Sequence, residues 1–266
     1  MSKIIKEWAS FATEIALSAG DVLRKGFGSP FAISSKPGKQ NLVTEYDKAS
    51  ENLLITAIKS CYPTHSIIAE EGGFYIQQES QVTWIIDPLD GTVNFAHEIP
   101  LFSISIAVAV DKEIACGVVY QPMTRELFVA QKQEGAFLNG RLLNVSPVSQ
   151  INQALLATGF PYDVHKDPLH CIENFSKILR TGTPIRRLGS AAIDLAYVAA
   201  GRFDGFWEVG LNSWDMAAGM LLVKEAGGMV THYDGTEHQI FGYYNLLATN
   251  KYLHPIMIDY LNKGKI

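Results

Sequence analysis

The chain has 266 residues, 47% of them hydrophobic, with 22 Lys and Arg against 27 Asp and Glu and a formal net charge of −5. That length suits one large domain or two lobes around a shared core, and the lack of a basic run argues against a surface built to neutralise nucleic-acid phosphates. Three separated cysteines, Cys61, Cys116 and Cys171, argue against a disulfide framework or zinc cluster; with no signal-peptide pattern and no run of the ~20 apolar residues that span a membrane, a cytoplasmic protein is expected.

In chain order, residues 3–27 read as an amphipathic helix with Ile4, Trp8, Phe11, Ile15, Ala19 and Val22 at spacings of three and four. The polar run 34–41 follows as a mobile loop carrying Lys36 and Lys39. Leu42-Val43-Thr44 forms a short strand or turn before Asp47. A second helix covers 46–61 with Ala49, Leu53, Leu54, Ala57 and Ile58 inward, stopped at Pro63. Ser66 to Ala69 is a strand that delivers Glu70-Glu71 to a Gly pair.

The next stretch organises the rest: Trp84-Ile85-Ile86-Asp87-Pro88-Leu89-Asp90-Gly91-Thr92. An apolar strand end meets Pro88, which cannot continue the ladder, so the chain is expected to leave the sheet there. Asp87 and Asp90 lie three apart across that turn and can converge. The Leu89 carbonyl can point the same way, and Gly91 and Thr92 suit a helix start that welcomes an anion. Oxygen ligands beside such amides describe a site for magnesium and phosphate together. Three rivals bear on this stretch. An Asp-rich surface turn is the plain one. An EF-hand loop fails because Thr92 stands where glycine is required. A phosphatase with an Asp-x-Asp nucleophile has acids two apart, whereas these are three apart.

Residues 102–110 read as a long buried strand, 114–120 as its hairpin partner and 126–131 as a third strand. Gly135 to Gly140 reads as a hairpin turn. The polar run 144–153 marks a seam between an N-terminal lobe, 1–145, and a C-terminal lobe, 146–266, forming one compact unit. Beyond the seam come a strand at 155–159, a helix at 168–180, a strand at 185–188 and a helix opening at Gly189-Ser190-Ala191-Ala192, whose cap and open amides can hold polar groups. A strand over 204–208 ends at Glu208. Trp214-Asp215 opens a helix to Ala226, strands follow at 229–233 and 246–249, and a helix from Lys251 to Lys263 closes the chain.

Four acids, Glu70, Asp87, Asp90 and Asp215, each close a strand or open a helix. If they meet, they repel by about 4 kcal/mol per pair at roughly 4 Å and an effective dielectric near 20. Cations, or strongly raised pKa values, are then required, and an all-oxygen set favours magnesium.

The run Trp84-x-x-Asp87-Pro88-x-Asp90-Gly91-Thr92-x-Asn94-Phe95-x-His97, then Pro100, resembles the first signature of the inositol monophosphatase family. Trp214-Asp215-x-x-Ala218 with Glu225-Ala226-Gly227 resembles the second. Glu70-Glu71, the Lys36 loop, the segment to Asp47, and Arg187 to Ala192 stand in the family's order over nearly the whole chain. The resemblance implies an α/β fold layered as an α/β/α/β/α sandwich, a homodimer, and a lithium-sensitive, magnesium-dependent phosphomonoester hydrolase with two or three Mg2+ per site. Carried over, Glu70, Asp87, Asp90, Asp215 and the Leu89 carbonyl bind metal. Glu70 and Thr92 position and activate the attacking water, with Asp47 in support. Gly91 and Thr92 hold the phosphate; Asp90, Gly189, Ser190, Ala191, Glu208 and Asp215 meet the substrate; Lys36 lies in a mobile loop; His97 is structural.

Relatives acting on inositol phosphate often carry His four residues after the glutamate matching Glu208, where this chain has Asn212. The resemblance implies a small phosphorylated polyol as substrate, inositol 1-phosphate first, and the Asn212 departure keeps fructose bisphosphate, histidinol phosphate and phosphoadenosine nucleotides as alternatives. An aspartyl-phosphate phosphatase, and a regulatory or RNA-associated protein that keeps the phosphatase shell, are the competing classes.

Overall fold

The structure, a computed structural model, describes residues 2–30, 33–35, 42–241 and 244–262. In chain order the elements are α1 (Ser2–Gly26), β1 (Ile33–Ser35), β2 (Leu42–Thr44), α2 (Glu45–Cys61), β3 (Ser66–Ala69), β4 (Gly73–Tyr75), β5 (Val82–Asp90), α3 (Thr92–Ala96), β6 (Ser103–Val110), β7 (Glu113–Gln121), β8 (Glu126–Gln131), β9 (Gly135–Leu138) and β10 (Arg141–Leu142). Then follow β11 (Leu156–Thr158), α4 (Cys171–Leu179), β12 (Ile185–Arg186), α5 (Ala191–Ala199), β13 (Gly205–Leu211), α6 (Ser213–Glu225), β14 (Met229–Thr231), β15 (Tyr244–Thr249) and α7 (His254–Asn262). Lys36 and Lys39 lie outside the described residues.

Two large sheets carry the fold. Eight strands run in the order β10-β9-β8-β7-β6-β5-β3-β4, antiparallel except for β3 against β5, and five run in the order β12-β11-β13-β15-β14. Helices α1 and α2 cover one face of the larger sheet. Helices α5 and α6 fill the space between the sheets, and α7 packs on the smaller sheet with α4 against it. The order is therefore α/β/α/β/α, a mixed α/β fold. The middle layer is the driest: α6 is buried from Met216 to Val223 and sits so close to β7 that a Cβ on Gly117 would meet Ala218 Cα at 2.9 Å. Its hydrophobic cluster draws on both sheets, from Ile85 and Phe128 to Phe206 and Leu246.

Several elements depart from the pattern reading. The face α1 buries is the small-residue one: Ala9, Ala12, Ala16, Ala19 and Gly20 join Trp8, Ile15 and Leu23, while Ile4 is exposed. The ring of Tyr120 decides this, since a Cβ on Gly20 would lie 2.4 Å from it. On α2 the inward set is Asp47, Ser50, Glu51, Leu54, Ile55 and Ile58, so Ala49 is not core. The chain does not leave the sheet at Pro88: β5 runs on to Asp90 through a bulge, with Asp87 opposite Ser105 and Asp90 opposite Ser103. The bulge takes up a residue that cannot donate to the ladder. Gly135 to Leu138 is a strand, not a turn; the turn is Asn139-Gly140, both at positive φ. Glu208 stands inside β13 rather than at its end. At the seam, the Asn250 side-chain amide donates to Ser146 Oγ at 3.0 Å and Val148 O at 2.9 Å, fastening the polar run to the smaller sheet.

Candidate active site

The bulge in β5 does the main positioning. It places Asp87, Leu89 and Asp90 on successive corners of one short path, each braced by a different element. Asp87 is buried and accepts from the Leu89 amide at 3.0 Å. Ser50 of α2 donates to Pro88 O at 2.8 Å, holding the bulge from behind. Asp90 Oδ2 accepts from Ser190 Oγ at 2.6 Å and from the Ala192 amide at 2.8 Å, which ties β5 to the start of α5 across about a hundred residues of sequence. Asn94 reinforces the same joint, donating to Leu101 O and Leu188 O, both at 2.7 Å. Gly91, at φ +99, makes the turn into α3; a Cβ there would meet Leu101 O at 3.0 Å and Gly189 O at 3.3 Å.

A second chain of contacts fixes Thr92. Its hydroxyl donates to Asp47 Oδ1 at 2.8 Å and lies 3.0 Å from Leu89 O. Asp47 is itself pinned, Oδ2 accepting from Thr44 N at 2.7 Å and Thr44 Oγ1 at 2.5 Å, in the capping box that starts α2. Burial raises the Asp47 carboxyl above the usual range, opposed by the hydrogen bonds from Thr44 and Thr92. Asp47 does not reach the cavity; it acts on Thr92 from behind.

Glu70 follows β3 directly and is half-buried. The Glu71 amide donates to Glu51 Oε2 at 2.8 Å, which fixes the turn. Asp215 is the third residue of α6 and closes a capping box with Asn212, accepting from the Asn212 amide at 2.6 Å. Asn212, the departure from the family pattern, is thus a helix cap.

These groups face one cavity of about 930 Å³, lined by Glu70, Asp87, Leu89, Asp90, Gly91, Thr92, Gly189, Ser190, Ala191, Glu208 and Asp215. Every acid in it that carries a resolved shift is pushed toward its neutral form. Burial raises Asp87 well above the carboxylate range, and Glu70, Asp90 and Asp215 add to it. Burial, then Glu70 and Asp90, do the same to Asp215. Asp90 rises to about 6 by burial, held down by its bonds to Ser190 and Ala192. Glu208 rises to about 8 through burial and Asp90, against the pull of Arg187. Uncompensated charges in a dry cleft cost free energy that a cation or a proton must offset. The donor set is all oxygen, which suits a hard divalent cation. Among the described residues no group of three or more His, Cys, Asp or Glu side chains is already drawn together as a metal cluster.

The family profile described as the inositol monophosphatase family matches residues 5–265. The chain belongs to the inositol monophosphatase family. Among curated relatives, the Nus factor SuhB of Salmonella typhimurium is 44% identical over 242 residues, covering 91% of this chain and 90% of that protein. The inositol-1-monophosphatase of Synechocystis sp. is 42% identical over 250 residues, covering 94% and 87%. Among solved structures, the extragenic suppressor protein suhB of Bartonella henselae superposes with a TM-score of 0.90 at 38% identity, covering 96% of this chain and 98% of that one.

Pattern reasoning missed two residues lining the site, Asp194 on α5 and Gly159 after β11, and one that supports it from behind, Glu51 on α2. Gly159 admits the Glu208 carboxylate, since a Cβ there would lie 2.1 Å from Glu208 Oε2. A signal existed for Asp194, a lone acid in the otherwise apolar run Ala-Ala-Ile-Asp-Leu-Ala. Glu225 of the second signature is a scaffold residue, accepting the amides of Gln133 at 2.8 Å and Gly135 at 2.9 Å.

Proposed function

We propose that this chain is a magnesium-dependent phosphate monoester hydrolase acting on a small phosphorylated polyol, inositol 1-phosphate foremost. The observation that carries the reading is the cavity in which Glu70, Asp87, Asp90 and Asp215, far apart in sequence, face one another, with the proton affinities of Asp87, Asp90 and Asp215 raised. Glu70, Asp87, Asp90, Asp215 and the Leu89 carbonyl hold the ions, two or three in number. When bound, magnesium supplies positive charge that offsets the carboxylates and polarises the phosphate and the attacking water.

The chain's own residues do the rest. Thr92 gives its only hydroxyl hydrogen to Asp47 and Leu89 O, so its oxygen is left as an acceptor that orients a water for in-line attack. Asp47 keeps that hydroxyl from rotating. Glu70, half-buried at the end of β3, is the base that takes the proton from the water. The amides of Gly91 and Thr92 seat the phosphate. Gly189, Ser190, Ala191 and Glu208 lie on the side of the alcohol, and Ser190 also fixes Asp90.

Lithium inhibition, a homodimer and a cytoplasmic location complete the proposal; no helix among the described residues is long and apolar enough to cross a membrane. Fructose bisphosphate, histidinol phosphate and phosphoadenosine nucleotides are the alternative substrates. The Nus-factor name of the Salmonella relative favours a second, non-enzymatic role on the same shell, tested by RNA and protein capture with Arg186 and Arg187 replaced. The test of the main reading is phosphate release from these esters with magnesium and with a chelator. Metal-dependent turnover of inositol 1-phosphate is expected; no metal-dependent turnover of any ester overturns it. A trappable phosphoenzyme on Asp87 would turn the mechanism to the aspartyl-phosphate class.

A further inference from the structure

One acid in the cavity has no part in the chemistry above. Asp194 stands in α5 among Ala, Ile, Leu, Val and one Tyr. It is 1% exposed and lines the cavity, yet its Oδ1 has no hydrogen-bond partner among the described residues. A buried carboxylate oxygen without a donor weakens a fold. The ordinary structural explanations do not apply. Asp194 is not the helix cap, which is Ser190. The amides that a first-turn acid could accept are engaged, Ala192 N with Asp90 and Ile193 N with Ser190 Oγ. Its nearest charges are Glu208 and Asp90, which repel it, and Arg187, which attracts it. Arg187 is exposed at the same cavity.

Glu208 faces the same cavity from β13. Its carboxylate lies against the bare backbone of Gly159, and burial and Asp90 raise it to about 8. Two acids on two elements, α5 and β13, therefore bring acceptor oxygens to the wall away from the Asp87 corner. Such a wall offers acceptors to neutral donors. Hydroxyl groups fit: each supplies a hydrogen without adding charge.

We propose that Asp194 is a specificity-determining residue which, beside Glu208, accepts hydroxyl hydrogens of the alcohol half of the substrate, so that the site selects polyhydroxylated esters over esters lacking free hydroxyls. The inference rests on the phosphatase reading above. The unpartnered oxygen is kept at the expense of stability because the substrate completes it.

The test compares wild type with Asp194→Asn and Asp194→Ser, in magnesium, on inositol 1-phosphate and on p-nitrophenyl phosphate, which has no free hydroxyl. In both variants the ratio of kcat/KM for the first ester to that for the second falls at least tenfold, chiefly through KM. The melting temperature holds or rises, because the repulsion of Asp194 by Glu208 and Asp90 has been removed. An unchanged ratio in a folded variant overturns the inference, and so does loss of folding in both variants, which would make Asp194 a scaffold residue. A larger loss on an amine-bearing ester than on inositol 1-phosphate also overturns it, since the wall would then be a cation site. Absence of turnover by wild type on both esters is failure of the phosphatase reading. In that case calorimetry with free inositol still decides: weaker binding by the variants supports the role of Asp194, and equal binding overturns it.

Discussion

Replacing Thr92 by Val removes one hydroxyl and keeps the shape of the side chain. In the native protein that hydroxyl donates to Asp47 Oδ1 at 2.8 Å and sits 3.0 Å from Leu89 O. Asp47 is buried and away from the cavity, so it recovers no water in exchange. Asp47 retains its two bonds from Thr44, so the loss is a single hydrogen bond to a charged group, about 1.5–3 kcal/mol. For a chain of this size that lowers the melting temperature by roughly 3–12 °C, at about 2–4 °C per kcal/mol. The effect on turnover is much larger. If Thr92 orients the attacking water, kcat for inositol 1-phosphate falls by about 10²–10⁴ at a temperature where both proteins are folded. Thr92→Ser restores most of it. The double variant with Asp47→Asn loses little more than Thr92→Val alone, because the two residues act through one contact. Near-native kcat in folded Thr92→Val would refute the water-orienting role and leave Thr92 as a brace for Asp47.

Other predictions concern the alcohol side and the smaller sheet. Gly159→Ala puts a Cβ 2.1 Å from Glu208 Oε2 and 2.2 Å from its Cδ. The flexible carboxylate gives way, KM for inositol 1-phosphate rises by about tenfold, or about 1.4 kcal/mol, and kcat changes little; an unaltered KM would show that Glu208 does not meet the alcohol. His254 is buried between Thr231 Oγ1 at 2.9 Å and Thr249 Oγ1 at 2.7 Å, and burial lowers it to about 4 from 6.5. The unfolded chain therefore takes up this proton first as the pH falls, and stability is lost between about pH 6.5 and pH 4. His238, also lowered to about 4, adds to the same loss. Urea midpoints over that window fall more steeply in wild type than in His254→Asn; parallel curves would remove His254 from the account.

The site's outline was legible because its residues are chemically conspicuous: paired acids around Pro88, a glycine and hydroxyl after them, and an acid in the first turn of α6. The strand that presents them was read too short, since proline forbids a ladder bond but not a bulge, and only the pairing with Ser103 and Ser105 reveals the bulge. The polar inward face of α2 was illegible for a different reason. Ser50 and Glu51 are satisfied by Pro88 O and the Glu71 amide, partners that no local periodicity contains. Likewise α1 turns a small-residue face inward because Tyr120 presses on Gly20, a contact set by β7 and not by the helix's own hydrophobic stripe.

The proposed metal role of the four acids is tested most directly by the melting temperature of chelator-treated protein as a function of pH, with and without magnesium. A carboxyl whose folded pKa is raised keeps its proton after the unfolded chain has lost it, so its ionisation opposes folding as the pH rises. With Asp90 raised from 3.8 to about 6 and Glu208 from 4.5 to about 8, the metal-free protein loses stability between about pH 4 and pH 8. Magnesium at a hundredfold excess over Kd restores about 2.7 kcal/mol at the upper end, and Asp215→Asn loses most of that gain. A wild-type melting curve at pH 8 that saturating magnesium leaves unmoved contradicts the account.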